Sequence, residues 1–76
     1  MRYYQIILYS LRYVHGDYKY VDVAQSEEMN KEEAIKAFNS IEEGLKATNT
    51  VYKRIGFSIR FGLGEMPETY INLEEV

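Results

Sequence analysis

Apolar and polar residues alternate along much of this chain, and their spacing predicts most of its elements. Residues 2–14, RYYQIILYSLRYV, are rich in tyrosine, isoleucine and valine and predict a strand, with a helix as the alternative. The turn signal HGD at 15–17 and the strand-like YKYVDVA at 18–24 then complete a β-hairpin, in which Gly16 supplies a positive φ.

The spacing changes to that of a helix over residues 30–48. Asn30 is a favourable N-cap, and Glu33 stands where the partner of a capping box is expected. Asn49 is suited to end the helix. The apolar face consists of Ala34, Phe38, Ile41 and Leu45. A helix of this kind packs one face on a sheet and leaves the other in water.

Alternation returns in VYKRIGFSIRFGLG, residues 51–64, which predicts one long third strand. A turn at 65–67 and a short fourth strand within residues 68–76 follow, with Ile71 and Leu73 on one face and Tyr70 and Asn72 on the other. The order is ββαββ. It predicts an α+β fold in which one helix packs on a four-stranded antiparallel sheet.

Length and composition fit a single domain over residues 1–76. The chain contains no cysteine, so it has neither disulfides nor thiolate metal ligands, which suits a reducing cytoplasm. No apolar run has transmembrane length and no signal-peptide pattern is present, so we expect a soluble, cytoplasmic protein that does not associate with membranes. A net charge of −3 argues against nucleic-acid binding.

Both faces of the first predicted strand carry large apolar side chains. A strand that is apolar on both faces is expected to be buried on both, yet only one helix is predicted. We therefore expect a second copy of the chain to cover the other face and form a homo-oligomer. The alternative is a small monomer that exposes some of these side chains, since much of any protein surface is apolar.

The even-numbered face of the predicted third strand is the candidate contact surface. Gly56, Ser58, Gly62 and Gly64 would leave a shallow trough there, unless these glycines mark bulges or have no role. Arginine and tyrosine beside such a trough suit an acidic partner protein or a planar, nucleotide-like anion. The predicted contact residues are Arg54, Arg60, Gly56, Ser58, Tyr52, Arg12 and Tyr4.

Catalytic and metal-binding motifs are missing from the sequence. His15 is the only histidine, it lies in a predicted turn, and no serine has an evident base beside it. We therefore expect neither enzyme activity nor a metal or other cofactor.

These features favour a non-catalytic protein that covers a site on a partner protein stoichiometrically. It would be an inhibitor or accessory factor of the kind that phages and mobile elements encode. One alternative is an oligomer that sequesters a nucleotide-like anion at a subunit interface. A structural subunit of a larger assembly is a third possibility.

Overall fold

The computed structural model describes residues 2–62 and 66–76 and shows an α+β fold. One helix, α1 (Lys31–Ala47), packs on a five-stranded antiparallel sheet. The strands are β1 (Tyr4–Val14), β2 (Asp17–Gln25), β3 (Tyr52–Ile55), β4 (Ser58–Phe61) and β5 (Thr69–Glu75). They are arranged in the order β2-β1-β5-β4-β3 across the sheet. The predicted class is confirmed, and the predicted number of four strands is wrong.

The first hairpin forms where the sequence predicts it. β1 and β2 pair antiparallel around a turn in which His15 and Gly16 both have positive φ, 50° and 82°. Two consecutive positive φ values are typical of a type I′ turn, whose twist matches that of the flanking strands. A bulge beside Leu8 interrupts the pairing with β2.

The helix begins and ends at its predicted caps. The Asn30 side chain accepts a hydrogen bond from the Glu33 backbone N–H at 2.9 Å, and Asn49 takes a positive φ of 55° just after the C-cap residue Thr48. Ala34 and Phe38 are fully buried. Phe38 forms the core with Ile6 and Ile59, and partly buried apolar side chains pack around these three.

The predicted long third strand is a hairpin of two short strands. Ile55 pairs with Ser58, and Gly56 and Phe57 form the turn between them. Gly56 has a φ of 59°, and glycine at the first position of a two-residue turn is typical of type II′. Apolar residues alternate straight through this turn, which is why the sequence resembles one strand. Leu63 and Gly64, at the end of the predicted strand, and Glu65, the first residue of the predicted turn at 65–67, lie outside the described residues.

The register assigns each strand residue to one of two faces. The face that contacts α1, here called the helix-bearing face, includes Ile6, Ile59 and Ile71. Residues directly opposite one another in antiparallel strands share a face, and neighbours along a strand alternate. The other face, here called the open face, therefore carries Ile7, Tyr9, Leu11, Tyr13, Tyr18, Tyr20, Lys53, Ile55, Ser58, Arg60, Tyr70, Asn72 and Glu74.

Candidate functional site

The seven predicted contact residues do not form one surface. The turn at Gly56 reverses the chain, so residues of equal parity before and after it point to opposite faces. Ser58 and Arg60 lie on the open face, and Gly56 lies in the turn itself. The remaining predicted residues lie on the helix-bearing face, and these are Tyr4, Arg12, Tyr52 and Arg54. Gly56 and Ser58 therefore do not lie together on one face of a single strand, as the predicted trough required.

Arg54 is held by the fold. Its guanidinium donates hydrogen bonds to the Glu42 carboxylate at 2.8 Å, to the Asn39 side chain at 2.9 Å and to the Gly56 carbonyl at 2.8 Å. The guanidinium carbon also lies 4.9 Å from the ring centroid of Phe38 and 5.4 Å from that of Phe57, within cation–π range. These contacts join the β3–β4 hairpin to α1, which gives Arg54 a structural role.

Glu42 is the centre of this connection. It accepts hydrogen bonds from Arg54 and from the Tyr52 hydroxyl, the latter at 2.9 Å. Both hydrogen bonds favour the ionised carboxylate and hold the pKa of Glu42 below its ordinary value. Desolvation, together with the hydrogen bond to Glu42, raises the pKa of Tyr52. Two predicted contact residues, Tyr52 and Arg54, are therefore engaged inside the molecule.

The open face contains a cluster of three tyrosines, one from each of β1, β2 and β5. The Tyr9 and Tyr70 rings stack with centroids 4.8 Å apart, and Tyr20 meets Tyr70 edge to face at 4.9 Å. The Tyr20 hydroxyl donates to the Pro67 carbonyl at 2.7 Å, which fixes the ring in place. No element of the described chain covers this cluster, so its remaining surface is available for binding.

The open face of β1 is not exposed evenly along the strand. Ile7 is only 9% exposed although it lies on the open face, whereas Tyr13, farther along the strand, is 66% exposed. The homo-oligomer was predicted because one helix cannot cover both apolar faces of β1. The single chain already buries part of the second face at Ile7. Self-association stays a prediction.

Charged and amide groups surround the tyrosine cluster. The Tyr9 hydroxyl donates to the Glu74 carboxylate at 2.6 Å, and this hydrogen bond, with desolvation and the nearby negative charge, raises the pKa of Tyr9 to about 12. Desolvation is also the main cause that raises the pKa of Tyr70. Both hydroxyls therefore stay protonated at neutral pH. The Asn72 Oδ1 is buried and has no hydrogen-bond partner among the described residues.

A depression of about 280 Å³ lies beside the tyrosine cluster. Tyr20, Pro67 and Tyr70 line one part of it, and the remaining lining residues are Ser58, Arg60 and Asn72. Its surface combines aromatic rings with a cation, a hydroxyl and an amide, so it can contact a flat ring and an anionic group together.

Two exposed cations stand side by side on the open face, and one of them, Arg60, lines the depression. Lys53 on β3 pairs directly with Arg60 on β4, and both point to the open face. Like charges directly opposite in antiparallel strands repel and destabilise the sheet. Neither residue forms an ion pair or a side-chain hydrogen bond within residues 2–62 and 66–76. We call these two residues the cation pair.

The sheet also carries a second pair of this kind, far from the depression. Arg12 on β1 pairs directly with Lys19 on β2, and both side chains are exposed on the helix-bearing face. The tyrosine cluster lies on the other face of the sheet. Arg12, a predicted contact residue, is thus separated from Arg60 and provides a matched control for it.

A larger concavity of about 550 Å³ separates α1 from the β1–β2 half of the sheet. Its lining is almost entirely apolar and includes Leu8, Met29 and Ile41. It lacks charged side chains that could orient a polar ligand, and the depression on the open face is therefore the better candidate site.

Sequence reasoning missed five residues of this site. Three of them lie on strands that were not considered together, Tyr20 on β2 and Tyr70 and Asn72 on β5. Pro67 was assigned to a predicted turn, and Lys53 belongs to the odd-numbered positions that were assigned to the core. The position of Gly56 between alternating apolar residues was the available signal, because glycine there favours a two-residue turn. With the turn recognised, Lys53 and Arg60 become direct neighbours.

The described part of the chain, residues 2–62 and 66–76, has no helix with the length and apolar character that crossing a membrane requires. The same residues contain no cluster of three side chains of the types that bind metals. Comparisons with protein-family models, curated proteins and solved structures found no match to this chain.

Proposed function

We propose that this chain is a non-catalytic binding protein that acts stoichiometrically by placing its open face on a partner protein. The observation that carries the proposal is the tyrosine cluster, which no element of the described chain covers. Tyrosine and arginine are enriched among the residues that dominate protein interfaces. The open face presents both, with Arg60 beside Tyr70 in the register of β4 and β5.

The charge on this face suggests the chemistry of the partner. Lys53 and Arg60 lie next to each other, so a partner with a carboxylate or phosphate at that point would relieve their repulsion. An inhibitor or accessory factor of the phage or mobile-element type would work in this way, by covering a site on its target. We include a cytoplasmic setting in the proposal, because the chain has no cysteine and needs no oxidising compartment.

The test is a comparison of two double variants in partner capture. Lys53→Glu with Arg60→Glu reverses the charge of the cation pair, and Arg12→Glu with Lys19→Glu makes the same change on the helix-bearing face. Immobilised wild type and the second variant should capture the same protein from a lysate of the source cells, and the first should not. Equal capture by both variants would contradict the proposed surface.

A second candidate function is sequestration of a small anionic ligand. The depression beside the tyrosine cluster favours it, because it is concave and brings aromatic rings together with a few polar groups that can orient a ligand. The predicted subunit interface is part of this candidate and is tested by light scattering after size exclusion. A mass of 9.0 kDa at every concentration would exclude a site formed between copies.

A further inference from the structure

We infer that the depression and the cation pair together form a site for a nucleoside monophosphate. The inference rests on the second candidate function and names its ligand. The base would lie in the depression against Tyr20 and Tyr70, and the phosphate would lie over Lys53 and Arg60. Arg60 belongs to both parts, because it lines the depression and pairs with Lys53.

The depression is large enough for a nucleobase. Its volume of about 280 Å³ is just below the ~300–1,000 Å³ of pockets that hold drug-sized ligands. A nucleotide would place its base in the depression and its phosphate at the rim, over the cation pair. Tyrosine rings are favourable surfaces for nucleobases, because every base has a flat π face.

The charge of the cation pair selects a phosphate monoester. A phosphate monoester carries a charge of about −1.5 to −2 at neutral pH, whereas a carboxylate carries a single negative charge. Two adjacent cations with no partner among the described residues match the dianion better. The net charge of −3 for the whole chain opposes a long nucleic acid, whose binding depends on many phosphate contacts.

Polar groups in the depression can read the base edge. Ser58 lies directly opposite Asn72 in the register of β4 and β5, and the Asn72 Oδ1 lacks a partner among the described residues. The Asn72 Nδ2 lies 3.4 Å from a Glu74 oxygen, which sets the orientation of the amide and leaves Oδ1 as the acceptor. This unpartnered acceptor beside the depression is the group that would receive an N–H of the base.

Titration calorimetry on the full chain tests the site with defined probes. Cytidine and uridine 5′-monophosphates should bind with one site per chain. Cytidine without its phosphate should bind ~10–100-fold more weakly, as expected when a charge-assisted hydrogen bond is lost. Ribose 5′-phosphate, which has no base, should also bind more weakly, because it cannot stack on the tyrosine rings. Absence of saturable binding at millimolar nucleotide would overturn the inference, and so would equal affinity for ribose 5′-phosphate.

Two pairs of variants place the ligand on the structure. Arg60→Ala should weaken binding ~10–100-fold, while Arg12→Ala should leave the affinity unchanged. Tyr20→Leu should weaken binding, and Tyr20→Phe, which keeps the ring, should retain it. Binding that survives Arg60→Ala undiminished would contradict the site even if the nucleotide binds.

The result can be separated from that of the main proposed function. A protein that captures its partner through the open face and binds no nucleotide contradicts only this inference. Competition by an unlabelled single-stranded oligonucleotide at a much lower concentration than the mononucleotide would also overturn it, since the ligand would then be a nucleic acid. Near-UV absorbance and fluorescence of the tyrosines provide a second readout, because the chain has eight tyrosines and no tryptophan.

Discussion

Arg54 and Arg60 belong to one short hairpin and experience opposite surroundings. Arg54 points to the helix-bearing face, where its guanidinium has three hydrogen-bond acceptors and two aromatic rings within reach. Arg60 points to the open face beside Lys53, another cation. The comparison shows that the role of an arginine on this hairpin follows from its face, which the turn at Gly56 decides.

The two faces of the hairpin therefore divide folding from binding. On the helix-bearing face, charge and aromatic contacts are satisfied internally and attach the hairpin to α1. On the open face, two like charges remain close together, a feature that raises the free energy of the folded chain. Substitutions on the first face should change stability, and substitutions on the second should change binding.

The largest loss of stability is expected in the core between α1 and the sheet. Phe38 is fully buried in the core and lies beneath the Arg54 guanidinium. Phe38→Ala should lower the free energy of unfolding by ~3–5 kcal/mol, because it removes apolar contacts and leaves a cavity. Denaturant titration measures this value. A loss below ~1 kcal/mol would mean that the core is centred elsewhere, since exposed sites give changes of that size.

Arg54→Ala should have an intermediate effect. Its side chain is 23% exposed, so its hydrogen bonds are only partly screened by water, and its removal should lower the free energy of unfolding by ~1–3 kcal/mol. Arg60→Ala is the matched control, and as an exposed residue away from such contacts it should change stability by less than ~0.5 kcal/mol. The same titration compares them. Equal losses for both would remove the distinction between the two faces.

The sequence was sufficient for those elements whose signal is local. Short-range rules account for the N-cap of α1 at Asn30, the end of the helix before Asn49, the turn at Gly16 and the two faces of the last strand, and the structure confirms them. The β3–β4 hairpin was missed because a two-residue turn leaves the apolar alternation intact while it exchanges the faces. The tyrosine cluster was missed for a different reason. Its members come from β1, β2 and β5, and the sequence alone does not reveal that β5 lies between β1 and β4.

The acid side of the pH profile should report the contact between Glu42 and Arg54. The folded state holds the pKa of Glu42 below its ordinary value of 4.5, so the unfolded chain binds the proton more readily. The ionised Glu42 contributes fully to stability at pH values above its ordinary pKa of 4.5. This stabilisation is lost as the pH falls through the lower pKa of the folded state. The midpoint temperature of thermal unfolding should therefore fall more steeply between neutral and acid pH for wild type than for Glu42→Gln. Parallel profiles would show that Glu42 is not held in this way.

The smallest expected change in stability is a gain, at Lys53. Its sign is informative, because the same substitution should raise stability and weaken binding. Lys53→Glu replaces the repulsion of the cation pair by an attraction to Arg60 and should raise the free energy of unfolding by ~0.2–1 kcal/mol. A glutamate also keeps a charge on the edge strand β3, so protection against edge-to-edge pairing is preserved. The gain should shrink at high salt, because the two side chains are exposed.

Lys19→Glu, opposite Arg12, should give a similar gain on the helix-bearing face. Only Lys53→Glu should weaken binding of an anionic partner or ligand. If Lys53→Glu destabilises the chain, or if both variants bind as wild type does, the open-face cations have no part in recognition.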